Sequence, residues 1–97
     1  MEKTKTKTLE EILSESGIST NTEEEYKLIL WNDDVNSFEW VITCLMAYLK
    51  FPPKKAEASA YNVHLIGKDV IKTGSRETLE PYKKLLEERG LSLTIEQ

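Results

Sequence analysis

Segment breakers fall so often along this chain that no helix or strand after Tyr26 can be long. Asn32-Asp33-Asp34, Pro52-Pro53, Gly67, Gly74-Ser75 and Gly90 divide it into six short stretches. Each break has its own cause: short polar side chains bond nearby backbone, proline lacks an N–H, and glycine turns where other residues strain. What lies between the breaks changes period. Tyr26, Leu28 and Leu30 alternate with Lys27, Ile29 and Trp31, the pattern of a strand with a largely apolar second face. After the polar turn, Asn36 with Glu39 three residues on has the spacing of a capping box. The helix it opens, to about Lys50, places Phe38, Val41, Leu45 and Tyr48 or Leu49 on one stripe.

Pro52-Pro53 ends that helix and suits the start of the next, whose face carries Ala56, Ala60 and Val63 with Tyr61 and His64 beside them. Gly67 stops it or makes the turn that follows. Val70 to Thr73 reads as a short strand. A third helix ends near Arg89 and buries Leu79, Tyr82, Leu85 and Leu86. If Ser75 capped it, Pro81 would lie inside at a cost of about 3 kcal/mol, whereas a cap at Thr78 keeps Pro81 in the first turn. The sequence favours the later start. Leu91, Leu93 and Ile95 alternate as a last strand. The order β-α-α-β-α-β predicts an α+β fold, a small α/β sandwich in which three helices pack a three-stranded antiparallel sheet.

Charge is distributed unevenly. Residues 1–25 hold three Lys against seven Glu, while residues 26–97 hold ten basic and ten acidic side chains. The first segment has only Met1, Leu9, Ile12, Leu13 and Ile18 as apolar residues, so it is expected to be a mobile tail ahead of one folded domain, 26–97. A balanced domain lacks the basic footprint of a nucleic-acid binder. No apolar run approaches the roughly 20 residues of a membrane helix, and no apolar run follows the Lys-Thr start as in a secretory leader. One cysteine, Cys44, excludes an internal disulfide and points to a reducing, cytoplasmic setting.

Few polar groups could converge on a site: Asn32, Asp33, Asp34, Cys44 and His64. Each has an ordinary local reading. Asn-Asp-Asp makes turns, a lone His after Val63 packs or caps, and a Cys between Ile42 and Leu45 behaves as a small hydrophobe. A Cys–His pair or a metal-dependent enzyme built on Asp33, Asp34, His64 and Cys44 is the catalytic alternative. Against it, no orienting residue or oxyanion donor is identifiable, and adjacent aspartates are poorly spaced for a metal.

Two blocks taken together go further. Tyr26-Lys-Leu-Ile-Leu-Trp-Asn-Asp-Asp34 followed by Glu39-Trp-Val-Ile42, with Val63-His64 and Gly67-Lys68 downstream, resembles the ClpS family from about Tyr26 to Ile95. The resemblance implies a non-enzymatic adaptor, without cofactor or metal, that binds proteins by a large hydrophobic N-terminal residue and delivers them to a Clp protease. An α-ammonium needs acceptors around it, preferably one ionised. By position in the motif these are Asn32, Asp33 and a neutral His64, with Asp34 supporting the turn or a water. The side-chain pocket would be walled by Asn36, Phe38, Val41, Ala60, Val63 and Leu91. Three of these depart from the family: Asn36 stands where Thr is common, Phe38 where Met is, and Ala60 where a bulky Met often gates the pocket. Glu77 matches a position used against the N-terminal domain of a ClpA- or ClpC-type AAA+ unfoldase, and Pro81 lies close to it. An interaction module of the same fold with a different peptide or protein ligand is the alternative.

Overall fold

A computed structural model describes residues 25–97. The expected tail lies outside the described residues apart from Glu25, which is exposed and in no regular element. Six elements follow in the predicted order: β1 (Tyr26–Trp31), α1 (Phe38–Tyr48), α2 (Pro53–Ile66), β2 (Lys68–Gly74), α3 (Arg76–Glu87) and β3 (Ser92–Glu96). The sheet is ordered β2-β1-β3, with β1 antiparallel to both neighbours. The fold is thus α+β, three helices on a three-stranded antiparallel sheet.

Alternation along β1 decides which face the helices cover. Leu28 and Leu30 are almost wholly buried and meet Val41, Cys44 and Leu45 of α1, Ala56, Ala60 and Val63 of α2, and Leu79 and Leu86 of α3. Ile71 and Leu93 complete this core from the two outer strands. Between Leu28 and Ile29 the register with β2 shifts: Leu28 faces Lys72 but Ile29 faces Val70, so Ile71 is an extra residue in β2. Such a bulge reverses the alternation locally, which places Ile71 in the core while Val70 stays 45% exposed. On the open face the indole N–H of Trp31 donates to Thr94 Oγ1 at 2.8 Å, and Lys68 Nζ lies 5.2 Å from the Trp31 ring centre.

Two expectations about helix starts are corrected. Ser37, not Asn36, caps α1: it is extended, and its hydroxyl accepts from the Trp40 N–H at 3.0 Å. Asn36 is drawn off to other partners described below. Ser75, not Thr78, caps α3, accepting from the Thr78 N–H at 3.1 Å, and Pro81 lies inside the helix. The earlier start gives Leu79 a helical position, with its N–H bonded to Ser75 C=O at 3.1 Å and its side chain fully buried. A cap and a buried leucine offset what Pro81 removes.

The other boundaries follow their breakers. Lys50 turns left-handed at φ 62° and lets the Phe51 N–H reach back to Leu45 C=O at 3.2 Å. Pro53 is the first residue of α2, where a missing N–H costs nothing. Gly67, at φ 109°, closes α2 in the left-handed conformation, its N–H shared between the carbonyls of Asn62 and Val63. No described helix is long and apolar enough to cross a membrane.

Candidate binding site

The link from β1 to α1 is organised around one carboxylate. Asp33 Oδ1 accepts the backbone N–H groups of Val35 at 2.9 Å and Asn36 at 2.8 Å. Its Oδ2 accepts the Asn36 side-chain amide at 2.8 Å and the Ser92 hydroxyl at 3.0 Å. Burial by itself would raise the Asp33 pKa, but the Asn36 and Val35 N–H groups and the two side-chain donors outweigh it and hold it below the usual carboxylate value. Four donors match the roughly four lone-pair sites of an ionised carboxylate. The turn is therefore supported by Asp33, not by Asp34, which is exposed beside it.

Asn36 carries the link across the molecule. Its amide donates to Asp33 and also to Gly90 C=O at 2.7 Å. One turn into α1, the Trp40 indole N–H donates to Arg89 C=O at 3.0 Å. These bonds hold the start of α1 against the α3–β3 connection and so fix Leu91, which is 5% exposed. A Thr at position 36 would carry one hydroxyl proton and could not make both amide bonds. Here the family departure has a structural consequence.

The end of α2 supplies the third side. Gly67 C=O accepts the Asn32 N–H at 2.9 Å. This bond ties the turn at the end of β1 to the helix end that carries Val63 and His64. His64 is exposed. Its ring lies 6.5 Å from that of Phe38, edge to face, and Phe38 also packs on Tyr61 at 4.8 Å. An aromatic group thus joins the start of α1 to α2.

Among these elements lies a small cavity walled by Leu30, Trp31, Asn32, Asp33, Asn36, Val41, Val63 and Leu91. Its volume is about 10 Å³, close to what one water needs. Six of the nine residues singled out as acceptors or pocket walls, Asn32, Asp33, Asn36, Val41, Val63 and Leu91, border it together. Phe38 and His64 face each other but are not among its walls. Ala60 is 1% exposed within the core and does not border the cavity, and Glu77 lies away from it in the first turn of α3. Leu30 and Trp31 were not anticipated as walls, although their position directly before Asn32 was the available signal. Ser92 was also missed, because nothing in a polar residue at the head of a strand announces a partner 59 positions earlier.

Cys44 is fully buried in the core, and burial pushes its thiol pKa up, only partly opposed by Arg89. Among the described residues, no three His, Cys, Asp or Glu side chains gather as a metal site requires. What the arrangement offers is a cavity walled by polar side chains, Asn32, Asp33 and Asn36, and by apolar ones, Leu30, Val41, Val63 and Leu91. Fold and site together define a small α+β domain in which polar and apolar side chains line one cavity.

That domain has relatives. The chain belongs to the ClpS family, described as the ATP-dependent Clp protease adaptor protein ClpS, whose sequence model matches residues 21–94. The ClpS adapter of Thermosynechococcus vestitus is 35% identical over 69 residues, covering 70% of this chain and 73% of its own. That of Corynebacterium aurimucosum is 29% identical over 83 residues, covering 86% and 75%. Among solved structures, Agrobacterium tumefaciens ClpS2 bound to L-phenylalaninamide superposes with a TM-score of 0.64 at 25% identity, covering 75% of this chain and 95% of that one. The chain is accordingly an adaptor of the ATP-dependent Clp protease.

Proposed function

We propose that this adaptor captures substrate proteins by a free N-terminal residue with a large apolar side chain and passes them to the N-terminal domain of a ClpA- or ClpC-type unfoldase. The observation that carries the reading is a single cavity in which Asn32 and Asp33 share walls with Val41, Val63 and Leu91. An N-terminal residue has that same division, an ammonium on the carbon that bears the side chain. Asn32 offers a side-chain oxygen, Asp33 a negative charge and His64 a ring nitrogen, so the cation leaves water for acceptors. L-phenylalaninamide, the ligand of the Agrobacterium relative, joins a free α-amine to an aromatic side chain in the same way.

The cavity is too small for such a side chain as it stands, so binding must open it. Leu30, Val41, Val63 and Leu91 are all at most 6% exposed and belong to the core. Phe38, half-buried at the first turn of α1, can move with less loss of packing. Phe38 then sets which side chains are admitted, and Glu77 on α3 contacts the unfoldase. The test is a set of peptides identical except for the first residue, each free and N-acetylated. Tight binding confined to free peptides with large apolar first residues is expected, because acetylation removes the cation. Equal binding of the two forms would replace this reading with recognition of an internal segment.

A further inference from the structure

Resting on the first-residue reading, a further role falls to a residue outside the family motif. We propose that Ser92 is a placeholder for the substrate's ammonium, its hydroxyl occupying in the empty site the acceptor position on Asp33 Oδ2 that the ammonium takes on binding. All four lone-pair sites of the Asp33 carboxylate are in use. An incoming ammonium reaches it only by displacing a donor, and the four are unequally held. The Val35 and Asn36 N–H groups are backbone, fixed by the turn. The Asn36 amide is held from its other side by Gly90 C=O at 2.7 Å. Ser92 offers a neutral hydroxyl, exposed, at 3.0 Å, the longest of the four contacts, and free to rotate about a single bond.

The Ser92 bond is assisted only by the charge of its acceptor, whereas an ammonium adds a positive charge of its own and so an attraction to the carboxylate that a hydroxyl lacks. The exchange is therefore favourable for a charged terminus and gains nothing for a neutral donor. Asp33, the partner of Ser92, is itself a wall of the cavity, so the exchange takes place where the cavity meets the carboxylate.

The full-length protein, with Ser92→Ala and Ser92→Thr, is titrated with a labelled peptide beginning with Phe, free and N-acetylated. Ser92→Ala removes the competing donor, and the free peptide is expected to bind about 2- to 12-fold tighter, the equilibrium equivalent of one net hydrogen bond. Ser92→Thr, which keeps the hydroxyl, returns the affinity to that of the unmodified protein. A Ser92→Ala affinity that is unchanged or weaker overturns the placeholder and makes Ser92 a support of the turn. If the unmodified protein does not distinguish free from acetylated peptide, the first-residue reading fails, and the placeholder fails with it for want of a cation.

Discussion

At Asp33 four donors meet one carboxylate, and an amide in its place could accept at only one oxygen. Asp33→Asn therefore leaves two donors to find water or go unpaired, among them either the backbone pair of the turn or the Asn36 and Ser92 side chains. Because the group is only half-buried, water replaces part of what is lost, and the expected destabilisation is about 1–2 kcal/mol. Its pH dependence has a definite sign. The folded protein holds the Asp33 pKa below its ordinary value, so the unfolded chain takes up the proton first as pH falls. The contribution is complete above the ordinary value of about 3.9 and is lost as pH falls through the lowered folded value. Denaturant unfolding of the two proteins should show the full difference at pH 7 and a shrinking one below pH 4. A difference that stayed constant across that range would mean that the charge of Asp33 contributes nothing to the turn.

Among the elements, α3 shows where the sequence was legible and where it was not. Strands, helices and their order follow from breakers and periodicity, because each break acts within a few residues. Helix starts do not, since neighbouring residues compete for the cap and tertiary partners decide. Asn36 and Ser37 are both good N-caps, and Asn36 loses the position only because Asp33 and the distant Gly90 claim its amide. Pro81 likewise argued for a late start, but the buried side chain of Leu79 made the first turn worth forming. Within the site, the motif placed the turn, Val41, Val63 and Leu91, while the partners Ser92 and Gly90 join positions more than 50 residues apart and leave no local trace. If α3 does form around its proline, Pro81→Ala restores the bond to Glu77 C=O and relieves the ring's contact with that carbonyl. The variant should gain about 1–3 kcal/mol, read as a raised Tm. No gain would mean that the helix effectively begins after Pro81.

Over the whole molecule, the proposed capture and delivery sites lie at opposite ends of α3. The binding cavity is anchored near the C-terminal end of this helix, through Arg89, Gly90 and Leu91. Glu77, the proposed unfoldase contact, stands in its first turn and is exposed. Ten residues of helix from Glu77 to Glu87 span roughly 15 Å, beyond the range at which unconnected substitutions usually couple. A charge at Glu77 is also screened from the site by ordinary salt over that distance. Glu77→Ala should therefore leave the affinity for a Phe-initiated peptide within about twofold of the unmodified protein, while slowing degradation of a Phe-initiated substrate by the complete unfoldase–protease. The complementary variant, His64→Ala, should weaken peptide binding yet still compete with the unmodified adaptor for the unfoldase. If Glu77→Ala weakened peptide binding as much as His64→Ala does, the two ends of α3 would be coupled, and capture and delivery could not be assigned to separate surfaces.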